Sequence, residues 1–357
     1  MKRNIIKIFV LAVFAVMLCI NAAADTDTDG FILIDTPEEF LSIKDNLDGD
    51  YRLSGNIDFS GKSFSVIGTK DTPFSGNLDG AGYTVKNIDI NASSPSDAYT
   101  AVFAANSGTI SNVIFENITV RAISDESAYA AVVASINVGS ISDLTVTNSS
   151  VYAKSDYFTA RAGTITAYNY KLGTVIGCTA SAKVTAESTH LYADAAGITA
   201  VNLGKISTSE SSGYIVGSSV NSDAAAGGIC AVNAGSIDAS ENSGSIRVIT
   251  ENGTTTADGV CANNTGTVTE CENTGEIFVG PASEICGDVD GDGELSPADA
   301  TTLVRHLASW RGYEADKLNL DLADVNGDGA VNLIDPIILN RHIAGWLGYE
   351  SLPLDNN

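Results

Sequence analysis

Aliphatic residues recur along this chain at a fixed interval. One column runs Val102, Val133, Ile165, Ile198, Ile229, Val260; a second runs Ile110, Ile141, Val175, Ile206, Ile237, Val268; a third runs Val120, Val151, Val184, Ile215, Ile246, Ile277. Asn106, Asn137, Asn169, Asn202, Asn233 and Asn264 keep step with them at 31 to 33 residues, usually with Gly two places later. Within each unit apolar and polar positions alternate, as in Gly244-Ser-Ile-Arg-Val248, and Val, Ile, Thr and Ser dominate. That alternation predicts strands, not helices. A fixed period in this range marks stacked repeats. Three short strands per repeat, punctuated by Gly and Asn, predict an all-β parallel β-helix of about seven coils. Each aliphatic column would line the inside of one sheet, and the Asn column would stack in a turn. Stacking buries residues that no single coil could bury alone.

Before the repeats, Thr36-Pro37-Glu38-Glu39 predicts a short helix with a capping box and Pro at its first position. Phe40, Leu41 and Ile43 would face a core, making this helix a cap on the open end. Tyr51 to Ile90 reads as an irregular first coil. The polar segments Asn91 to Tyr99, Arg121 to Tyr129 and Ala186 to Asp194 predict loops grouped along one edge, where binding residues often sit. At the very start, Lys2, Arg3 and Lys7, the apolar run Ile8 to Ile20 and Ala22-Ala23-Ala24 have the pattern of a signal peptide. The expected organisation is a signal peptide at 1–24, a linker and capping helix at 25–50, a parallel β-helix at 51–283 and a second domain at 284–354.

That second domain holds two acidic loops 36 residues apart. The first offers Asp288, Asp290, Asp292, the carbonyl of Glu294, Ser296 and Asp299. The second offers Asp324, Asn326, Asp328, the carbonyl of Ala330, Asn332 and Asp335. These are positions 1, 3, 5, 7, 9 and 12 of a twelve-residue loop, the oxygen donors that a hard cation such as calcium needs, with Gly293 and Gly329 at the sharp turn. Each loop leads into one amphipathic helix, and none directly precedes the first. The pattern resembles a dockerin. The resemblance implies a small all-α domain that binds two Ca2+ and docks onto a cohesin domain of a cellulosomal scaffoldin. It places recognition on loop positions 10 and 11 and the following helix: Pro297, Ala298, Arg305 and His306 in one copy, Leu333, Ile334, Arg341 and His342 in the other. The copies differ, so one preferred cohesin orientation is expected. The segment Tyr51 to Ile88 and the Asn-x-Gly-x-Ile elements resemble right-handed parallel β-helix surface proteins with GLUG-type repeats. That resemblance implies a fold of about 31 residues and three strands per coil, and leaves function open.

The net charge of −25 becomes −28 without residues 1–24, which carry three cations and no acids. Such a chain repels nucleic acid and anionic membranes. No partner nucleic acid and no membrane insertion are expected; the protein is expected to be secreted and held to a cell surface only through its partner. Glu210, Glu241 and Glu272, each 31 apart, would stack on one outward column. They could be paired catalytic carboxylates, a cation site or a solvated acidic stripe, and Thr145 and Thr179 continue the column as neutral residues. Ile136, Tyr168, Val201 and Val232 would form an outward apolar stripe. With Tyr152, Tyr157 and Tyr170 nearby, this could stack on sugar rings, or pack beneath loops. Cys230 and Cys261 would be coil neighbours within disulfide reach, or small buried thiols; Cys178 and Cys271 would share another column three coils apart. Three function classes stay open: a docked module that contacts plant polysaccharide, a β-helix glycoside hydrolase or polysaccharide lyase, and a structural spacer or adhesin.

Overall fold

The computed structural model describes residues 26–279 and, in the C-terminal segment, 285–291, 295–311, 313, 315, 318–349 and 352–353. Residues 1–24, Asp292, Gly293 and Glu294 therefore lie outside the described residues. The repeats form a parallel β-solenoid of about seven coils. Each strand pairs with its equivalent one period on: Ile110 with Ile141, then Val175, Ile206, Ile237 and Val268.

Six coils contribute to four sheets each, where three were expected. One coil supplies Ala98–Thr100, Phe103–Asn106, Thr109–Ser111 and Ile114–Ser124. Their sheets hold six, six, nine and eleven strands respectively. The extra strand comes from segments expected to be loops. Ile114–Ser124 runs on through the start of Arg121 to Tyr129, and the next strand, Ala128–Ala131, begins within it, leaving only Asp125 to Ser127 as a turn. Ala, Gly and Thr fill most of these short strands, with Tyr99, Tyr129, Arg161 and Asp194 among them, so they carry no aliphatic column to betray them.

The three aliphatic columns point inward. Val102, Val133, Ile165, Ile198 and Ile229 are fully buried, as are their counterparts in the other two columns through Ile237 and Ile246. At the last coil Val268 and Ile277 rise to 36% and 40% exposure, because no further coil among the described residues covers them. Parallel pairing begins upstream of Tyr51: Ile32–Ile34 pairs with Tyr51–Leu53. Helix α1, Pro37–Ser42, starts on the Thr36–Glu39 capping box. It sends Phe40 into the core against Phe59, Phe64 and Phe103, with ring centroids 6.0, 6.5 and 6.4 Å away.

The asparagine column is a continuous hydrogen-bonded ladder. Nδ2 of each residue from Asn106 to Asn233 donates to Oδ1 of the next, always at 2.8 Å. Asn106 to Asn233 are fully buried, so each amide needs its neighbours. The glycine two places later is required by the same stacking. A Cβ on Gly139 would lie 2.1 Å from the carbonyl oxygen of Gly108 one coil back, and one on Gly235 would lie 2.1 Å from that of Gly204. The structure adds a second, shorter ladder: Asn242 donates to Asn273 at 2.8 Å, and both are followed by the same Gly. In earlier coils the corresponding long strands instead turn on left-handed Asn87, Asn117 and Asn148, a conformation Asn tolerates better than most residues.

Candidate functional site

The two acidic loops are closed by their last residue. In the first, Asp299 Oδ1 accepts from the amides of Val289 and Asp290 at 2.9 and 3.2 Å, and Oδ2 accepts from Ser296 at 2.9 Å. In the second, Asp335 Oδ1 accepts from Val325 at 3.1 Å and Oδ2 from Asn332 at 2.7 Å. Each carboxylate thus ties the start of the loop to the start of the following helix. Those helices are α2, Pro297–Leu307, which Ser296 and Asp299 cap, and α3, Ile334–Ile343. Val289 and Val325, at position 2 of each loop, are fully buried in two small apolar cores that include Leu303 and Leu339. Loop geometry and core packing are therefore coupled.

In the first loop, carboxylate oxygens of Asp288, Asp290 and Asp299 all lie within 4.8 Å of one another. Burial pushes the Asp299 carboxyl above its ordinary range; the amides of Ser296 and Asp290 pull it back, and the Asp288 charge adds to the rise. Three converging carboxylates fit a hard divalent cation, which takes oxygen ligands and cancels their repulsion. In the second loop, Asp324 accepts from the amides of Asp328 and Gly329 at 3.2 and 2.8 Å. Asn326 Nδ2 donates to Asp328 at 2.9 Å, so three of the expected donors face one turn of chain.

The family model of the dockerin type I domain matches residues 286–344, the segment that holds both loops and both helices. This segment is a dockerin type I domain. Dockerin type I domains bind calcium and dock onto cohesins. For the solenoid, a crystal structure from Bacteroides ovatus, provisionally assigned as an immunoglobulin A1 protease, superposes with a TM-score of 0.51 at 16% identity. The match covers 70% of this chain and 86% of that one, and speaks to fold alone. No curated protein matches the chain.

The dockerin repeats one side-chain device twice. Arg305 lies over the rings of Trp310 and Tyr313, 5.6 and 5.1 Å from their centroids, and donates to the Tyr313 hydroxyl. His306 Nδ1 meets the Tyr313 carbonyl at 2.8 Å. Thirty-six residues on, Arg341 and His342 do the same with Trp346 and Tyr349. These four side chains, expected to face a cohesin, hold down the turn that follows each helix. Pro297, Ala298, Leu333 and Ile334 are exposed. Leu333, at the N-cap of α3, and Ile334 and Ile337 on it stand 62%, 51% and 51% exposed. Ile337 was missed, although its place three residues after Ile334, one turn on, was a helical signal for it.

On the solenoid, the acid column is in register. Glu210 pairs with Glu241 and Glu241 with Glu272, all exposed, beneath a cleft of about 100 Å³. That is smaller than the ~300 Å³ at which ligand pockets begin. The expected apolar stripe is half covered, with Tyr168 and Val232 still part-exposed. Ile136 and Val201 are buried, and Ala196, Ala225 and Ala231 form a second small cluster with Val232 outside the main core. Small side chains let the two six-stranded sheets meet tightly there.

The four candidate tyrosines do not make one site. Tyr168 and Tyr170 meet at 4.5 Å, Tyr157 stacks on His190 at 5.4 Å, and Tyr152 lies on the outer face of the eleven-stranded sheet. Beside Tyr168, the structure reveals a ladder that sequence reading missed. Tyr99 and Tyr129 stack at 4.7 Å, Lys70 covers the outer face of Tyr99, and Arg161 reaches Tyr129 and Tyr168 while pairing with buried Asp194 at 3.3 Å. Its ring faces are already occupied by protein, which argues for a structural role.

Cys230 and Cys261 are register partners, and all five cysteines among the described residues are free thiols. Burial raises the Cys230 thiol well above its ordinary range and pushes Cys178 up to about 12. A raised thiol supplies little thiolate, the reactive form. Cys178 and Cys230 are therefore expected to resist iodoacetamide until the chain is unfolded, whereas part-exposed Cys271 and Cys286 are modified in the native protein. Peptide mapping by mass spectrometry reads the difference, and a Cys230–Cys261 bridge in the native protein would contradict it.

Proposed function

We propose that this chain is an exported component of a cellulosome-type assembly. Its dockerin, holding two calcium ions, docks onto a cohesin of a scaffoldin, and its solenoid is the cargo that contacts polysaccharide. The observation that carries the reading is the duplicated, carboxylate-closed loop within the segment that matches the dockerin model. In this reading Asp288, Asp290, Ser296 and Asp299 serve one ion and Asp324, Asn326, Asp328, Asn332 and Asp335 the other, with Asp292, Glu294 and Ala330 completing the sets. Cohesin recognition falls on the exposed apolar face of α3, Leu333, Ile334 and Ile337, more than on Pro297 and Ala298. That imbalance supports one preferred orientation. Among the described residues no helix is long and apolar enough to cross a membrane.

The test incubates the full chain, with calcium, against immobilised cohesins and a panel of plant polysaccharides, measuring capture and product release separately. The expected result is cohesin capture and glycan retention without new reducing ends or unsaturated uronides. Product release would make the solenoid a hydrolase or lyase, and retention on no glycan would leave a spacer or adhesin. Failure to bind any cohesin would overturn the docking reading.

A further inference from the structure

One cavity on the solenoid has the size of a ligand site. It lies on the outer face of the eleven-stranded sheet and encloses about 480 Å³, within the usual range for small-molecule pockets. Register explains its shape. One outward column runs Arg121, Tyr152, Thr185, Val216, and its neighbour runs Thr119, Ser150, Lys183, Tyr214. Thr119, Ser150, Thr185 and Val216 make a low floor. Arg121, Tyr152, Lys183, Tyr214 and Glu187 stand around it as a rim. The basin therefore spans four coils, set ~4.8 Å apart by strand pairing, and has room for a short chain of ligand units laid along the solenoid axis.

The rim is chemically unusual for this protein. The chain carries 19 Lys and Arg against 44 Asp and Glu, yet two cations face this one cavity. Elsewhere on the solenoid, Arg52 and Arg161 are neutralised by Asp27, Asp29, Asp79 and Asp194, and Lys183 is itself engaged within the protein. Arg121 makes no ion pair among the described residues; it is exposed and lies on the Tyr152 ring, 4.3 Å from its centroid. A guanidinium held against a ring keeps its in-plane N–H groups available for a planar, two-oxygen acceptor. The one acid on the rim, Glu187, is engaged by the Tyr152 hydroxyl, which donates to it at 2.5 Å. Tyr152 thus fixes the cation and occupies the competing carboxylate.

We propose that this basin binds a carboxylate-bearing oligosaccharide, a uronate, whose carboxylate is held by Arg121 with Lys183 as second cation and whose ring packs on Tyr214. The proposal rests on the reading of the solenoid as a polysaccharide-contacting module and names its site and ligand class. The test is calorimetric titration of the full chain, at constant calcium, with a galacturonic acid trimer and a neutral galactose trimer. The uronate is expected to bind, the neutral trimer at least tenfold more weakly, and the uronate affinity to fall as salt rises. Arg121→Gln and Lys183→Gln should each lower it tenfold or more, and Arg121→Lys, which keeps the charge but not the fork, by less. Tyr157→Ala, on a separate loop, should leave it unchanged. Unchanged circular dichroism confirms that the variants are folded; should Arg121→Gln not fold, Lys183→Gln and the salt dependence decide. Equal binding of both trimers, or uronate binding untouched by Arg121→Gln, overturns the proposal while leaving a glycan module standing. Binding of no glycan in the wider panel would remove both.

Discussion

Chelating calcium is expected to abolish cohesin capture and unfold the dockerin while leaving the solenoid intact. Three carboxylates, Asp288, Asp290 and Asp299, bring oxygens within 4.8 Å of one another. At an effective dielectric of about 20, each such pair of charges repels by roughly 3–4 kcal/mol. Three pairs together come to about 10 kcal/mol, comparable with the whole stability of an ordinary domain. The two apolar cores of this segment are small, and a domain of this size has little reserve of its own. Since Val289 and Val325 join each loop to a core, loss of the ion spreads to packing. The measurement is surface plasmon resonance on an immobilised cohesin, with and without chelator, beside circular dichroism. Affinity should fall more than 100-fold and helical signal should drop, with the β signal unchanged. Asp288→Ala should reproduce much of the loss in saturating calcium. Affinity that survives chelation would show that docking does not depend on the loops.

Breaking the asparagine ladder at its centre is expected to have the largest effect on the solenoid. Asn169 is fully buried, accepts from Asn137 and donates to Asn202, both at 2.8 Å, and also donates to the Gly173 carbonyl at 3.1 Å. Asn169→Ala takes a partner from each neighbouring amide and from that carbonyl, in a place water reaches poorly. Each buried group so deprived costs about 1–3 kcal/mol, so a loss of about 4 kcal/mol follows. For a domain of this size that corresponds to a fall in Tm of roughly 10 °C. Asn263→Ala, exposed on the last coil, is the control and should change stability by less than about 0.5 kcal/mol. Differential scanning calorimetry compares the two. Equal Tm values would mean that the ladder is not a source of stability.

The register-dependent features were legible before the fold was seen. A solenoid repeats one translation, so whatever a coil needs from the next appears at the same interval in the chain. That is why the aliphatic columns, the Asn ladder and the Glu210–Glu241–Glu272 column could all be read. The calcium loops were legible for a different reason: a hard cation needs oxygens from a short, contiguous stretch, so the chemistry is local. The dockerin candidates Arg305, His306, Arg341 and His342 were harder, because their positions put them in the last turn of a helix but do not say what that turn meets.

The sequence by itself determined that this chain stacks, that it carries a dockerin and that the ladder residues must pair from coil to coil, because period and local ligand spacing do not depend on how the coil bends. Only the tertiary structure decided the fourth sheet, since Ala98–Thr100 and its equivalents carry no recurring aliphatic residue and become strands only between paired neighbours. It likewise buried Ile136 and Val201 and left a basin beneath Arg121 and Lys183. Those outcomes depend on the angle between sheets within one coil and on which neighbouring side chains are small. Side chains from several coils set both together, and no single interval along the chain records the result.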